Sequence, residues 1–238
     1  MTQSSLLRVR DIAKTYRMGS VRVPALHDVD VDIHRGDFVA LAGPSGSGKT
    51  TLLNLIGCID KPDRGSVTID DVDVTAVPLH RLATLRRETL GFIFQSFNLV
   101  PVLTAFENVE YPLLLRKVGR RERRQRVEQW LDRVGLTAQS RQRPDQMSGG
   151  QRQRVAIARA MVGEPKLVLA DEPTANLDSE TGARILDLLA DINTTSSCTF
   201  VFATHDPSLI ARARRQIQIQ DGRVVSDHPN LQSIRAAV

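Results

Sequence analysis

The chain has 238 residues, a length that suits a single α/β domain carrying an insertion. Hydrophobic residues make up 41% of it and charged residues 25%, which is ordinary for a globular protein and excludes a disordered or fibrous chain. The net charge of +5 suits an acidic partner, but it does not choose among nucleotide, nucleic acid and anionic lipid.

Apolar runs and cysteines narrow the class of protein further. The longest apolar runs, residues 38–42 and 167–170, are far shorter than the roughly 20 residues that a membrane-spanning helix needs. The N-terminal segment has no apolar stretch followed by a small-residue cleavage site, so we expect a chain that stays in the cytoplasm. Cys58 and Cys198 belong to no CxxC or Cys/His cluster, which argues against disulfides or zinc and predicts two small buried side chains.

The predicted elements begin with strands. Residues 6–16 and 26–33 alternate apolar and polar side chains and predict two antiparallel strands. Residues 37–43 are a nearly continuous apolar run, which is typical of a buried parallel strand, and a helix is expected from Gly48. Two further β segments follow. They are a hairpin at residues 63–75 and a buried strand at residues 89–95.

The pattern then becomes helical. Thr104 and Glu107 form a capping-box pattern, and a second amphipathic helix is predicted over residues 121–134. Residues 96–159 are therefore expected to form a helical insertion. The basic run 116–126 could bind a polyanion, but apolar residues at helical spacing just beyond it favour a solvated helix face.

Strands and helices alternate again after the insertion. Residues 166–172 and 198–205 are short β-rich runs with an amphipathic helix between them, and residues 225–238 are short and polar. The order predicts an α/β fold with a parallel sheet, an N-terminal antiparallel β-subdomain and an inserted α-helical subdomain.

Residues 43–51, GPSGSGKTT, fit the phosphate-binding pattern G-x-x-x-x-G-K-[ST]. They follow a predicted buried strand and open a helix, so backbone N–H groups and the helix N-terminus can surround the phosphates of a nucleotide. This context disfavours the alternative of a chance glycine-rich turn. Lys49 would neutralise the β- and γ-phosphate oxygens, and the Thr50 hydroxyl would ligate Mg²⁺. The residues expected at the nucleotide are Gly43, Pro44, Ser45, Gly46, Ser47, Gly48, Lys49, Thr50 and Thr51.

Three further predicted strands end in polar side chains. Asp171 and Glu172 follow an apolar run, at the sheet edge that also carries the phosphate loop. Asp171 can therefore reach Mg²⁺, and Glu172 can polarise the attacking water as a general base. Gln95 could contact both Mg²⁺ and the water, and His205 could hydrogen-bond the γ-phosphate. Each residue alone could be an ordinary strand end, but their convergence favours a catalytic site.

Residues 147–161, MSGGQRQRVAIARAM, predict a second helix start that is suited to an anion. Ser148 is a natural N-cap, and the two glycines after it permit close backbone approach. One ATP needs one phosphate cradle. A second cradle without a lysine suggests that it serves the nucleotide of another molecule, although spacing alone does not establish a dimer.

The order of these segments resembles that of ABC ATPases over residues 6–225. The serine-glycine-glycine-glutamine helix start is the specific feature, because many NTPases share the phosphate loop alone. The resemblance implies a P-loop NTPase core of the RecA-like type, with ATP and Mg²⁺ as ligands. The expected division of the single domain, residues 1–238, is a core over residues 1–95 and 160–238 and a helical subdomain over residues 96–159.

Carried over onto the matching residues, the resemblance implies roles for further side chains. Tyr16 would stack on adenine, and Asp178 would lie in the loop that communicates across a dimer. Met147 and Asn176 stand where leucine and alanine are commoner. The residues that would contact the γ-phosphate bound by the opposite copy are Ser148, Gly149, Gly150 and Gln151.

Residues 14–33, 91–109 and 171–179 are similar to the macrolide-export, lipoprotein-release and cell-division subfamily of ABC ATPases. This similarity implies a homodimer at the cytoplasmic face of the inner membrane, which drives a separate membrane permease. By the same resemblance, the permease would dock near Phe97, Asn98 and Leu99.

Two other functions stay open on the sequence. A soluble ABC ATPase acting on nucleic acid would suit the basic charge, but the single compact cassette has no zinc module, so no nucleic-acid partner is expected. A non-hydrolysing scaffold is disfavoured because the chemical groups of the site are all present. These are Lys49, Asp171, Glu172 and His205.

Overall fold

The computed structural model describes residues 5–230. Its strands are β1 (Ser5–Met18), β2 (Val21–His34), β3 (Phe38–Ala42), β4 (Arg64–Ile69), β5 (Val72–Asp73), β6 (Leu90–Phe94), β7 (Leu167–Asp171), β8 (Thr199–Thr204), β9 (Arg215–Gln220) and β10 (Arg223–Pro229). Its α-helices are α1 (Lys49–Ile56), α2 (Leu79–Thr89), α3 (Ala105–Leu115), α4 (Arg120–Arg133), α5 (Gly149–Met161), α6 (Ser179–Ser196) and α7 (Pro207–Arg212). Within residues 5–230, no helix is both long and apolar enough to cross a membrane.

A four-stranded antiparallel sheet contains the first two strands, in the order β2-β1-β4-β5. Val9, Ile12 and Val29 point inward and are fully buried. Val9 and Ile12 are three residues apart, and the register shift between them in β1 lets both face the same side. The predicted pair of N-terminal strands is confirmed. The predicted hairpin is present as β4 and β5.

A six-stranded sheet has the order β10-β9-β3-β8-β7-β6, and only β10 runs antiparallel to its neighbour among these described strands. Every residue of β3 and β8 is buried, as their continuous apolar runs predict for parallel strands covered on both faces. Because β3, β6, β7 and β8 are parallel, their carboxyl ends meet at one edge of the sheet. The predicted α/β fold with an antiparallel subdomain and inserted helices is confirmed.

The two faces of β8 lie in different hydrophobic cores. Val201 and Ala203 pack into the core shared with α1 and the four-stranded sheet. Phe200 and Phe202 pack into the core shared with α5 and α6. The sheet is thus fixed from both sides, which holds the polar residues at its carboxyl edge in place.

Helices α3, α4 and α5 share a third core, to which Val109, Leu131 and Val155 contribute. The predicted capping box at Thr104 and Glu107 is present at the start of α3. The basic run is largely a solvated helix face, as expected. Within it, the Arg124 and Arg126 side chains form ion pairs one helical turn away on α4, with Glu128 and Glu122.

Four of these elements were not predicted from the sequence: α2, α7, β9 and β10. A proline precedes α2, and few apolar residues mark its buried side. Residues 225–238 were described only as short and polar, and the first part of this stretch belongs to β10, which runs from Arg223 to Pro229 along β9. The rest of that stretch, residues 231–238, lies outside the described residues. Cys58 and Cys198 are both free and buried, as predicted.

Candidate functional site

The phosphate loop connects β3 to α1. Gly48 adopts φ 104°, and a Cβ atom there would lie 2.6 Å from the carbonyl oxygen of Ala25, so this position requires glycine. As the N-cap of α1, Gly48 has no side chain to cover the N–H groups of the first turn, which face an incoming anion. Lys49 is buried, and its Nζ donates to the carbonyl oxygens of Gly43 and Pro44, both at 2.8 Å. The loop is thus curled around its own lysine.

Charged groups of both signs share this site. Burial lowers the pKa of Lys49, and the carboxylates of Glu172 and Asp171 oppose that shift. Burial likewise raises the pKa of Asp171, against the effect of a hydrogen bond from Thr50. Both shifts mean that the charged forms are partly stripped of water, which strengthens their interaction with a charged ligand.

Glu172 follows β7 in a left-handed conformation, with φ 44°, which costs a residue with a side chain about 1–3 kcal/mol. Its backbone N–H donates to the carbonyl oxygen of Ala203 at 2.9 Å. Its Oε2 accepts from the Thr204 hydroxyl at 2.9 Å, and its Oε1 lies 2.5 Å from Nδ1 of His205. The carboxylate is therefore held at both oxygens.

One cavity of about 590 Å³ collects the phosphate loop and the ends of the parallel strands. It is lined by Val23, Pro24, Ala25, Pro44, Ser45, Gly46, Ser47, Gly48, Lys49, Thr50, Thr51, Gln95, Asp171, Glu172 and His205. Four separate strands therefore deliver the sequence-predicted polar groups to one place. The β2 residues in this lining had no prediction.

Tyr16 lies beside this cavity on β1, opposite Val23, which is part of the lining. Its hydroxyl donates to Oδ2 of Asp60 at 3.0 Å. Burial and this hydrogen bond raise the pKa of Tyr16. The ring is therefore fixed next to the cavity by its polar end.

The segment that begins with Ser148 lies elsewhere. Ser148 caps α5 in a full capping box with Gln151, and it lines a separate cavity of about 460 Å³ with Gly150 and Thr181. A Cβ atom on Gly150 would lie 2.5 Å from Cγ2 of Thr181, so α5 and α6 approach closely here. Asp178 caps α6 by accepting from the Thr181 N–H at 2.9 Å. Gly149 lies beside Leu177, so the expected cross-dimer loop packs against this helix start.

The donor atoms present fit an ion that arrives with a nucleotide. The Thr50 hydroxyl lies 3.2 Å from Oδ1 of Asp171, and Gln95 lines the same cavity. Among residues 5–230, no group of three or more His, Cys, Asp or Glu could hold a metal ion by itself. Mg²⁺ characteristically uses one or two protein ligands together with water and substrate phosphates, which this donor set matches.

Two contacts around the site carry no sequence signal. The Asn176 side chain donates to the carbonyl oxygen of Gln95 at 2.9 Å. The buried Gln153 of α5 donates to the carbonyl oxygen of Pro173 at 2.6 Å. Both contacts join segments far apart in the chain, so sequence spacing could not reveal them.

The turn after β6 is strained and pinned. Phe97 and Asn98 have φ 62° and 48°, and Arg159 of α5 donates to their carbonyl oxygens at 2.8 and 2.5 Å. Phe97 is buried beneath the guanidinium of Arg152. Asn98 is exposed and lines a groove of about 420 Å³, whereas Leu99 packs towards the helical core. Of the three residues expected at the partner, Asn98 is thus the exposed one.

Comparison with known proteins places this site in a family. A family model described as "ABC transporter" matches residues 26–175. The ABC transporter ATP-binding protein YvrO of Bacillus subtilis is 44% identical over 222 residues, covering 93% of this chain and 96% of that protein. The macrolide export ATP-binding/permease protein MacB of Marinobacter nauticus is 44% identical over 227 residues, covering 95% of this chain but 35% of MacB.

Solved structures agree with the sequence comparisons. The ATP-binding cassette MJ0796 of Methanocaldococcus jannaschii has been solved as a dimer in a post-hydrolysis state bound to ADP and Pi. It superposes with a TM-score of 0.87 at 43% identity, covering 94% of this chain and 98% of that one. The chain therefore belongs to the ABC transporter family, in which it is an ATP-binding and ATP-hydrolysing subunit.

Proposed function

We propose that two copies of this chain close on two ATP·Mg²⁺ and that hydrolysis reopens them to drive a membrane permease. The observation that carries the proposal is the convergence of Lys49, Gln95, Asp171, Glu172 and His205 on one cavity. The dimeric state of the MJ0796 cassette supports the pairing of two copies.

The polar residues of the cavity, and Tyr16 beside it, have the following parts in the proposed chemistry. Glu172 accepts a proton from the attacking water. Lys49 and the N–H groups of the phosphate loop stabilise charge on the β- and γ-phosphates, and His205 donates to the γ-phosphate. Mg²⁺, held by Thr50, Asp171 and Gln95, would neutralise the phosphate charge when bound. Tyr16 stacks on the adenine ring.

The second copy completes each site. Ser148, Gly149, Gly150 and Gln151 approach the γ-phosphate in the opposite copy, with Asp178 in the loop beside them. The position of Ser148 supports this arrangement, because it lines a cavity other than that of its own phosphate loop. The Ser148 hydroxyl accepts from the Gln151 N–H, and the other N–H groups of the first turn, with the helix dipole, favour an anion.

The permease is proposed to dock in the groove beside Asn98. Exposed Tyr111 and Leu115 of α3 contribute an apolar wall, and Arg159 lines its floor. The relative MacB is named as a combined ATP-binding/permease protein, which supports a permease partner for this chain. The complex would lie at the cytoplasmic face of the inner membrane, working in export, lipoprotein release or mechanical transmission.

Glu172→Gln tests the proposal. The variant should still bind ATP but hydrolyse it about 10² to 10⁴ times more slowly, because the positioned base is gone. It should also elute as a dimer on size exclusion with ATP and Mg²⁺. Glu122→Gln, an exposed carboxylate change on α4, is the control and should behave like the parent chain. A fully active Glu172→Gln, or one that stays monomeric with ATP, would refute the scheme.

A further inference from the structure

The hydroxyl of Thr204 lies between the carboxylate of Glu172 and the turn that follows β8. Thr204 is the last residue of β8 and is fully buried. Its Oγ1 is 2.9 Å from Oε2 of Glu172 and 3.0 Å from the backbone nitrogen of Asp206. Nothing in the proposed chemistry uses this hydroxyl directly, so its contacts need another explanation.

The direction of both hydrogen bonds is determined. A backbone N–H can only donate, so Asp206 donates to Oγ1 of Thr204. The single hydroxyl proton of Thr204 is then left for Oε2 of Glu172, which accepts it. If the hydroxyl turned away, the backbone N–H of Asp206 and Oε2 of Glu172, both partly buried, would each lose this partner.

Asp206 is itself held in place. One carboxylate oxygen accepts from the backbone N–H of Ser208 at 2.8 Å, which caps α7, and the other accepts from the Thr174 hydroxyl at 3.1 Å. The backbone N–H that faces Thr204 is therefore part of a rigid turn. Because this turn is held in place, it fixes the Thr204 hydroxyl, which in turn holds Oε2 of Glu172.

The consequence is that the two oxygens of Glu172 differ. Oε2 is occupied by Thr204, which is buried and immobile. Oε1 accepts from the backbone N–H of His205 at 3.2 Å and lies 2.5 Å from Nδ1 of the same residue, whose side chain is 68% exposed. The backbone donor stays in place, whereas the exposed imidazole is the one partner of the two oxygens that can be exchanged for water.

We propose that Thr204 is a positioning residue for ATP hydrolysis, whose hydroxyl holds Oε2 of Glu172 and leaves Oε1 to take the proton of the attacking water. The inference rests on the proposed role of Glu172 as general base. A base that is fixed in orientation loses no activity to rotation of its carboxylate, and small misplacements of a catalytic group are costly.

The chain offers a matched control on the same strand. Thr199 is the first residue of β8, is buried like Thr204, and accepts a hydrogen bond from the backbone N–H of Gly36 at 2.9 Å. Thr199→Val and Thr204→Val thus each remove one buried threonine hydroxyl, at opposite ends of β8. Only the second removal touches Glu172.

The experiment compares single-turnover hydrolysis of radiolabelled ATP with ATP affinity measured separately by equilibrium binding. Thr204→Val should lower the hydrolysis rate about 10- to 100-fold, the usual range for a hydrogen bond to a charged group, with affinity within about twofold. Thr204→Ser should restore the rate, and Thr199→Val should keep it. Thr204→Ala is measured in parallel, since it removes the same hydroxyl without the valine methyl groups.

A double-mutant cycle with Glu172→Gln separates positioning from a structural role. Once the base is gone, Thr204→Val should slow hydrolysis no further. A full additional loss in the Glu172→Gln background would overturn the inference, as would hydroxyl-free variants that hydrolyse ATP at the parental rate. If Glu172→Gln alone kept the parental activity, Glu172 would not be the general base and the proposed function itself would fail. The two failures are therefore distinct.

Discussion

Nδ1 of His205 lies 2.5 Å from Oε1 of Glu172. The two side chains differ in freedom, since that of Glu172 is 15% exposed and that of His205 is 68% exposed. The histidine is therefore the partner that can leave this contact and turn towards a phosphate.

His205→Ala should slow ATP hydrolysis about 10²- to 10³-fold, the usual effect of losing one donor to a developing negative charge. ATP affinity should change little, because the phosphate loop supplies most of the binding. Steady-state hydrolysis and equilibrium binding measure the two effects. His228→Ala, which changes an exposed histidine of β10, is the control and should match the parent.

Lys49→Ala should weaken ATP binding about 10- to 100-fold, because a charge-assisted contact to the phosphates is lost. Binding of a fluorescent ATP analogue measures the change. Lys166→Ala removes a half-exposed lysine that pairs with Asp70 and should bind ATP normally. Equal affinities for Lys49→Ala and the parent would contradict the assignment of the phosphate loop.

Asp171→Asn should raise the melting temperature without ligand and abolish the Mg²⁺ dependence of ATP binding. The folded-state pKa of Asp171 is raised, chiefly by burial, so ionisation of this carboxyl destabilises the fold; the loss begins as the pH rises above the unfolded-state pKa and is complete above the folded-state pKa. The gain from asparagine should therefore be full at neutral pH and disappear in acid, where Asp171 is itself protonated. In a protein of this size, each gain of about 1 kcal/mol in the free energy of unfolding would raise the melting temperature by roughly 2–4 °C.

Scanning calorimetry at several pH values tests this sign. Asp145→Asn, an exposed carboxylate change, should leave the melting temperature nearly unchanged. A melting temperature of Asp171→Asn below that of the parent at neutral pH would show that the carboxylate stabilises the fold instead.

Leu115→Asp should prevent co-purification with a membrane permease while leaving the ATPase activity of the isolated chain intact. Leu115 is 49% exposed at the end of α3 and lines the groove beside Asn98. A carboxylate there would have to be desolvated on docking. Val225→Asp, at a 55% exposed position on β10, is the control. Unchanged recovery of the permease with Leu115→Asp would place the docking surface elsewhere.

Gln153→Met should lower the free energy of unfolding by about 1–3 kcal/mol, because the buried carbonyl of Pro173 loses its donor. Urea unfolding measures this difference. The same change at exposed Gln129 of α4 should stay within about 0.5 kcal/mol of the parent. Equal losses at both positions would mean that the contact with Pro173 contributes nothing.

Local sequence patterns were sufficient to predict the strands that carry the site. The apolar runs before Gly43, Gln95, Asp171 and His205 each predict a buried strand, and parallel strands bring such ends together. The phosphate loop was recognisable because its spacing is itself the constraint. The capping residues Thr104 and Ser148 were equally local, since a cap concerns only the next few residues.

Contacts between distant segments were beyond the sequence. Thr204 stands next to His205 in the chain, and its contact with Asp206 is local, but only the fold brings its hydroxyl to Glu172, 32 residues away. The same holds for Gln153 and the carbonyl of Pro173. The exposure of Asn98 beside buried Phe97 depends on two left-handed residues that no apolar periodicity encodes.

Helix α5 has 13 residues, which corresponds to about 20 Å of continuous hydrogen-bonded backbone. Ser148 caps its first turn, and Gln153 donates to the chain just after Glu172. Near the other end of the helix, Arg159 donates to the carbonyl oxygen of Asn98. A stiff rod with three such attachments behaves as a lever: tilting it at the end proposed to meet a neighbour's ATP also displaces the end proposed to meet the permease. Capture of nucleotide and motion at the membrane would then be a single mechanical event, with no separate relay between them.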